Sequence, residues 1–347
     1  MTTLAQLTTL RVGGPAAQFQ EAASEAEFID AIRAADASAT PLLVIGGGSN
    51  LLVGDEGFDG LVLRDTRSQI RVQDDGMCGG VSVTATAGTP WDELVARAVT
   101  DGWLGLEALS GIPGSVGAAP VQNIGAYGAE LAETFASVRT WDRERGAVRT
   151  LMAVELGFGY RTSVLKRSLV APYGPTPRYV VLDMTVQMRF GTRSGPVKYQ
   201  QLATALGIEL GERAPTADVR DAVLALRGSK GMVLDPADHD TWSAGSFFTN
   251  PVLTEEQAAR LPEGAPQYAW GNQVKTSAAW LIEHAGFSKG FALPGSRAAL
   301  SSKHSLALTN TGGATSAELR ELARHIQVGV RNASGIFLTP EPLIVGA

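Results

Sequence analysis

The feature that constrains this chain most is a long uncharged stretch, residues 109–128. It contains five glycines, two prolines and no charged side chain. Loops usually lie at the surface and are polar, because a buried loop leaves backbone N–H and C=O groups without partners. The stretch is therefore more typical of a neutral backbone wall laid against a flat or polyphosphate-like cofactor. A buried irregular crossover is the alternative.

Glycine is frequent along the whole chain, at 40 of 347 residues. A collagen-like period is absent, so the excess indicates backbone that turns tightly or approaches a ligand closely. The formal net charge of −6 excludes the broad positive field that sequence-independent nucleic-acid binding requires. We therefore expect no nucleic-acid partner, while a small cationic pocket for a phosphorylated metabolite stays possible.

The remaining composition predicts a cytoplasmic protein with no membrane partner and no bound metal. The single cysteine, Cys78, cannot form an internal disulfide or a thiolate metal site. The four histidines lack ligand spacing. Neither a basic leader followed by an apolar core nor a run of about 20 apolar residues is present in the sequence.

Apolar periodicity predicts a mixed α/β chain of the α+β class rather than a helical bundle. Thr315 and Glu318 form a capping box ahead of the clearest helix. The predicted helices are 26–36, 90–101, 218–227 and 315–332. The predicted strands are 41–45, 80–87, 138–141, 179–190 and 336–338.

A second glycine-rich stretch follows the predicted strand 41–45. Three consecutive glycines, Gly46 to Gly48, precede Ser49 and Asn50. Successive glycines let backbone N–H groups turn toward an anion and form a nest for phosphate oxygens. The lysine of a Walker loop and the third glycine of a Rossmann fingerprint are both missing. This stretch alone fits a phosphate nest and a ligand-free connection equally well.

Two shorter motifs carry single reactive side chains. Arg161 closes the sequence GFGYR, where an arginine among aromatic residues and glycine can present a bidentate fork to a carboxylate. Ser246 lies between Gly245 and two phenylalanines, outside any nucleophile elbow, so an acyl-enzyme serine is not expected. Either motif alone is also typical of an ordinary structural residue.

Taken together and in order, these motifs resemble the FAD-containing UDP-N-acetylenolpyruvoylglucosamine reductases of peptidoglycan synthesis, in their longer form. The resemblance extends over nearly the whole chain. The matching strings are GGGSNLLV at 46–53, SGIPGSVGAAPVQNIGAYG at 110–128, GYR at 159–161, GSFFTNP at 245–251 and LTPE at 338–341.

The resemblance implies a two-domain FAD-binding fold of the vanillyl-alcohol-oxidase (PCMH) type, plus a separate α+β substrate-binding domain. The expected domains are 1–70 with 333–347, then 71–215, and the substrate-binding domain 216–332. The implied FAD-binding residues are Ile45, Gly46, Gly47, Gly48, Ser49, Asn50, Ser110, Ile112, Pro113, Gly114, Ser115, Gly117, Ala118, Asn123, Gly125, Tyr127 and Gly128.

The resemblance also implies the reaction. NADPH reduces FAD, hydride from flavin N5 adds to C3 of UDP-N-acetylglucosamine enolpyruvate, and protonation at C2 gives UDP-N-acetylmuramate. Arg161 would stabilise the charge on the carboxylate, Ser246 would protonate C2, and Glu341 would flank the same carboxylate. The implied substrate-binding residues are Tyr199, on a closing loop, Lys230, Asn250 and His304. A monomer is expected.

Two other functions compete with this interpretation. An FAD-dependent alcohol or sugar oxidase or dehydrogenase of the same fold would not need Lys230 and Asn250. It would usually have a base where Ser246 stands. A non-catalytic flavin- or nucleotide-binding module would keep the glycine walls without the set of Arg161, Ser246 and Glu341.

Overall fold

The computed structural model describes residues 2–74 and 79–346, so Cys78 lies outside the described residues. Within these residues the helices are α1 (Glu25–Ala37), α2 (Trp91–Thr100), α3 (Ala153–Leu156), α4 (Val164–Arg167), α5 (Gln200–Leu206), α6 (Thr216–Ser229), α7 (Glu255–Ala258), α8 (Ala278–His284) and α9 (Ser316–Ser334).

The strands are β1 (Ala16–Ala22), β2 (Leu42–Ile45), β3 (Leu51–Val53), β4 (Phe58–Asp65), β5 (Ile70–Asp74), β6 (Val81–Thr86), β7 (Trp103–Leu104), β8 (Gly125–Ala126), β9 (Ala129–Glu130), β10 (Phe135–Asp142), β11 (Ala147–Met152), β12 (Tyr179–Phe190), β13 (Val252–Leu253), β14 (Gln267–Trp270), β15 (Gln273–Thr276), β16 (Ala298–Leu300), β17 (Leu308–Asn310) and β18 (Leu343–Val345).

The chain divides into two compact units. One comprises residues 1–15, 49–58 and 230–347, and the other comprises residues 16–48 and 59–229. We call them the terminal unit and the central unit. The predicted three-part division, with two FAD-binding subdomains and a substrate-binding domain, stays a prediction.

The central unit contains two sheets. A small sheet has the strand order β1–β4–β2, in which β2 and β4 run parallel with Leu42 opposite Leu61. A larger antiparallel sheet has the order β11–β10–β12–β6–β5, with β7 beside the end of β12. Alternate residues of β6, from Val81 to Ala85, are buried against Trp91 and Leu94 of α2. This alternation is the period of two that the sequence shows at 80–87.

The terminal unit contains α7, α8, α9 and short strands. Leu319, Leu322 and Ile326 of α9 are fully buried in its core with Leu281 of α8 and the two phenylalanines 247 and 248. Strand β18 pairs parallel with β3, with Leu343 opposite Leu51. This pairing joins the end of the chain to the segment that follows residues 46–48, which we call the glycine run.

The structure confirms the predicted helices, and α9 begins after the capping box that Thr315 forms with Glu318. The four earlier strands are also confirmed. The final strand was wrongly placed: residues 336–338 form no strand, and β18 begins at Leu343. Ile336 and Leu338 are buried side chains of the core, so their apolar character reflects packing and not a strand. No helix among the described residues has the length and apolar content to cross a bilayer.

Candidate functional site

The two glycine-rich stretches of the central unit contact each other directly. A Cβ added to Gly47 would lie 2.9 Å from the Cα of Gly114, and one added to Gly46 would overlap with the hydroxyl of Ser115. No real Cβ fits at such distances, so both positions require glycine. The backbone of the loop that leaves β2 therefore lies against residues 114–115. We call residues 110–128, which include this pair, the wall.

Neighbouring backbone holds the middle of the wall. The N–H of Val116 donates to Thr89 O at 2.8 Å and that of Gly117 to Ala87 O at 2.9 Å. The carbonyl of Gly114 accepts from the N–H of Trp91 at 3.0 Å. The protein itself thus satisfies part of the polar backbone that the sequence led us to assign to a cofactor.

The N–H groups of the glycine run lack such partners in the part of the chain that the structure describes. No hydrogen bond from the N–H groups of Gly46, Gly47 or Gly48 to another described residue is present. Gly48 has a φ of +62°, a left-handed value that favours glycine. These N–H groups can donate to an anion, as the phosphate-nest interpretation requires.

The far end of the wall bends through left-handed conformations at non-glycine residues. Asn123 has a φ of 48° and Tyr127 a φ of 49°. Buried Asn123 is held by its side chain, which donates to Glu130 at 2.8 Å and to Gly159 O at 3.2 Å and accepts from the N–H of Ala132 at 3.0 Å. The side-chain amide of Asn123 forms its hydrogen bonds with neighbouring protein groups. We therefore assign Asn123 the role of fixing the conformation of the wall.

Arg161 lies in a tight turn closed by paired backbone hydrogen bonds between Gly159 and Thr162. Its φ of 53° is left-handed. One terminal guanidinium nitrogen donates to the carbonyl of Gly125 at 2.8 Å, and the ring of Tyr160 lies 5.5 Å from the guanidinium carbon. The wall therefore orients the Arg161 side chain, as a residue that presents a fork to a carboxylate requires.

In the terminal unit, Ser246 and Glu341 lie on adjoining segments. The backbone N–H of Glu341 donates to Phe247 O at 2.9 Å, one residue after Ser246. The side-chain amide of Asn50 donates to Glu341 O at 3.3 Å, and the carbonyl of Asn50 accepts from Leu343. Ser246 is half-buried and follows Gly245, whose φ is +70°. The fold thus brings together three of the predicted site residues.

Lys230 and His304 form a second group in the same unit. Burial, together with the charges of Lys230 and Lys289 and against the opposing effect of Glu283, lowers the pKa of His304 to about 4. His304 is therefore neutral at pH 7 and can donate or accept a hydrogen bond without charge. The side-chain oxygen of Asn250 accepts a hydrogen bond from the N–H of Ala278 at 3.0 Å.

Tyr199 belongs to the central unit, directly before α5. Its ring lies 5.6 Å from that of Tyr127 in an edge-to-face contact, and its side chain is 43% exposed. The segment carrying Tyr199 packs on the wall through a small cluster that includes Val197, Leu202 and Val223. The predicted catalytic residues are divided: Arg161 belongs to the central unit, Ser246 and Glu341 to the terminal unit.

Three charged residues that hold the wall were missed. Asp92 accepts the N–H of Gly111 at 2.6 Å, and Arg220 and Arg227 of α6 donate to Ser110 and Gly111. The signal available was the spacing of Arg220 and Arg227, seven residues apart on one face of a predicted helix. Nothing in the sequence indicates which surface that face covers.

A separate polar cavity of about 620 Å³ lies on the large sheet of the central unit. Arg67 and Arg139 bridge Glu25 there, and Arg139 also pairs with Asp183. Burial raises the pKa of Asp183 despite the opposing charge of Arg139. The cavity contains no residue predicted for the site, and Arg67 and Arg139 are already paired with carboxylates. Among the described residues no cluster of His, Cys, Asp or Glu side chains could hold a metal ion.

Comparison with protein families gives two matches. Residues 16–152 match the model "FAD binding domain", and residues 235–345 match "UDP-N-acetylenolpyruvoylglucosamine reductase, C-terminal domain". The first match includes the glycine run and the wall, and the second includes Ser246 and Glu341. These two domains define the class of the protein, which is a flavoprotein oxidoreductase. The predicted fold class is confirmed.

Full-length relatives narrow the class to one family. A UDP-N-acetylenolpyruvoylglucosamine reductase from Cutibacterium acnes is 52% identical, covering 99% of this chain and 89% of the relative. One from Thermobifida fusca is 49% identical, covering 99% and 96%. The crystal structure of a reductase from Thermus caldophilus aligns with a TM-score of 0.64 at 26% identity, covering 99% and 97%. The chain belongs to the UDP-N-acetylenolpyruvoylglucosamine reductase family.

The described residues fit the FAD that the first match implies. Gly46 and Gly47 leave no space for a Cβ against the wall, and the N–H groups of the glycine run are available to phosphate oxygens. Gly48 adds a left-handed backbone that brings the peptide close to such an anion. The residues that would hold the dinucleotide are therefore those of the glycine run and the wall.

Proposed function

We propose that this protein catalyses the NADPH-driven, FAD-dependent reduction of UDP-N-acetylglucosamine enolpyruvate to UDP-N-acetylmuramate, a step of peptidoglycan precursor synthesis. The observation that carries the proposal is 52% identity to a reductase of this name over 99% of the chain. The chemistry that FAD supplies when bound is acceptance of a hydride from NADPH and its delivery to the substrate.

Arg161 is our candidate for holding the substrate carboxylate. Its guanidinium stays ionised and can bind two carboxylate oxygens at once. The hydrogen bond to Gly125 O at 2.8 Å restricts the direction in which the fork points. Charge that develops on the carboxylate during reduction would then meet a preorganised cation, which is the arrangement that lowers a barrier most.

Ser246 is our candidate for the group that protonates C2 of the reduced enolpyruvyl unit. A hydroxyl is a weak acid, so it can serve only against a strongly basic, carbanion-like carbon. The left-handed Gly245 before it and the buried Phe247 after it fix the backbone on both sides. Glu341, on the segment adjoining Ser246, is our candidate for a further contact to the substrate carboxylate.

The substrate nucleotide is assigned to Lys230, Asn250, His304 and Tyr199. Lys230 is close enough to His304 to lower its pKa, so the site combines a cation with a neutral imidazole. A cation beside neutral hydrogen-bonding groups suits a diphosphate linked to a sugar. The exposed edge of Tyr199 offers an aromatic surface that could cover the nucleotide.

We further propose that the protein acts in the cytoplasm as a monomer, without a nucleic-acid or membrane partner. The net charge of −6 supports the absence of a nucleic-acid partner. Size-exclusion chromatography with light scattering tests the monomer.

One assay separates the proposed function from its competitors. Purified protein loaded with FAD is supplied with NADPH and the enolpyruvyl sugar nucleotide, and in parallel with an alcohol or a sugar and oxygen. We expect substrate-dependent oxidation of NADPH in the first reaction and none in the second. Turnover of the alcohol or sugar alone would favour an oxidase, and binding of FAD without turnover in either reaction would favour a non-catalytic module.

A further inference from the structure

The peptide unit of Gly111, at the beginning of the wall, is held from both sides by charged side chains. Its N–H donates to Asp92 Oδ1 at 2.6 Å, and its carbonyl accepts from Arg227 Nε at 3.0 Å. The φ of Gly111 is +68°, and an added Cβ would lie 2.8 Å from a methyl group of Leu224. One conformation of this peptide is therefore strongly preferred.

Asp92 and Arg220 form a bidentate pair across two helices. Asp92 is in the first turn of α2, and Arg220 is in α6; their two oxygen–nitrogen distances are 2.8 and 2.7 Å. The same Arg220 nitrogen donates to the hydroxyl of buried Ser110 at 3.0 Å. Burial acts to raise the pKa of Asp92, yet the hydrogen bonds from Arg220 and Gly111 outweigh it and hold the pKa below its ordinary value. Both partners therefore stay charged.

The held peptide is connected to the glycine run by a short path. Three residues further on, Gly114 is fixed by the N–H of Trp91, the neighbour of Asp92 in α2. Gly114 is also the residue whose Cα lies against Gly47. A displacement at Ser110 and Gly111 would thus be transmitted to the surface that the glycine run and the wall share, because packed backbone has no space to absorb it.

We propose that Asp92 and Arg220 are positioning residues for the FAD site. We assign them no contact with the cofactor; they fix Ser110 and Gly111 so that the wall meets the glycine run in the geometry that the cofactor needs. The inference rests on the proposed function only in taking FAD as the ligand of the wall. No residue predicted for the site lies in α6, so the inference gives this helix a role in FAD binding for the first time.

The test measures binding and spectra of FAD with the full chain. Asp92→Ala and Arg220→Ala are expected to weaken FAD binding about tenfold, the loss of one charge-assisted hydrogen bond. Because both residues act on the same peptide, their effects should not be additive, and the double variant should bind FAD less than about tenfold more weakly than either single variant. Asp92→Asn keeps an oxygen for Gly111 and should retain more affinity than Asp92→Ala.

A spectroscopic readout separates positioning from simple stabilisation. At saturating FAD, the visible circular dichroism of the bound flavin should change in Asp92→Ala and Arg220→Ala. The matched control is Asp101→Asn, which removes an ion pair with Arg97 at the other end of α2. The control should leave FAD affinity and the visible spectrum unchanged.

Two results overturn the inference. One is a lower melting temperature in the Asp92 and Arg220 variants with FAD affinity and visible circular dichroism unchanged, which indicates a purely structural pair. The other is an equal loss of affinity in the Asp101→Asn control. Failure of the proposed function is distinguishable from both, because the unaltered protein would then bind no FAD or would reduce no enolpyruvyl substrate.

Discussion

The backbone N–H of Glu341 donates to the carbonyl of Phe247 at 2.9 Å, which places Glu341 beside the segment that carries Ser246. The two residues are 94 positions apart in the chain. The contact is supported by Asn50, whose side chain donates to Glu341 O, and by the parallel pairing of β18 with β3. The terminal unit thus holds the segment that carries the Ser246 hydroxyl next to the segment that carries the Glu341 carboxyl group.

Replacing Ser246 by alanine tests its assignment as the proton donor. NADPH should still reduce the flavin in Ser246→Ala, because that half-reaction needs no proton from the hydroxyl. Reoxidation of the reduced flavin by the enolpyruvyl substrate should slow about 10²–10⁴-fold. Stopped-flow absorbance follows the two half-reactions separately. Ser243→Ala removes a structural hydroxyl three positions earlier in the chain and serves as the control. Fast reoxidation in Ser246→Ala would refute the assignment.

Replacing Arg161 by lysine tests the role of the planar fork. Lysine keeps the charge but cannot bond Gly125 O and bind two carboxylate oxygens together. We expect kcat to fall about 10²-fold or more, with FAD still bound. Arg167→Lys is the control, because Arg167 also donates to a backbone carbonyl, that of Gly157, and is exposed. Equal losses in both variants would show that the effect is structural.

Replacing Gly47 by alanine tests the contact between the glycine run and the wall. The new methyl group would lie 2.9 Å from the Cα of Gly114, where backbone cannot move aside cheaply. We expect Gly47→Ala to destabilise the protein by about 1–3 kcal/mol and to weaken FAD binding. Gly195→Ala is the matched control, since nothing lies within 4 Å of a Cβ there. Calorimetry and FAD fluorescence measure both effects, and unchanged FAD affinity would contradict the contact.

The partly buried, neutral state of His304 predicts how stability depends on pH. Its pKa is about 4 in the folded protein and 6.5 as the ordinary value, so the unfolded chain binds more protons between these limits. The free energy of unfolding should therefore fall as the pH drops from about 6.5 to about 4, by up to about 1.4 kcal/mol per unit from this residue.

His304→Asn removes that titration and tests the prediction. Chemical denaturation between pH 4 and pH 7 should give a shallower pH dependence for the variant than for the unaltered protein. Identical slopes would mean that His304 titrates alike in the folded and unfolded chains.

Local patterns predicted the helices well and the long-range contacts poorly. The capping box of Thr315 and Glu318 places the start of α9 correctly because both partners lie within one turn. The last strand was misplaced because apolar Ile336 and Leu338 mark burial, whereas β18 is defined by pairing with Leu51 and its neighbours almost 300 residues earlier.

The candidate site shows the same division. Glycine spacing indicated both the glycine run and the wall, because the absence of a Cβ depends only on the residue type and not on its neighbours in space. The support from Asp92 and Arg220, which are 128 positions apart, could not be predicted, because ordinary charged residues acquire that role only through the packing of α2 and α6.

The most direct test of the proposed function is the reoxidation of NADPH-reduced protein by UDP-N-acetylglucosamine enolpyruvate in the absence of oxygen. The purified protein should be yellow, lose its flavin absorbance when NADPH is added, and recover it on addition of this substrate with formation of UDP-N-acetylmuramate. A protein that takes up no FAD on reconstitution, or whose reduced flavin stays bleached in the presence of the substrate, would contradict the proposed function.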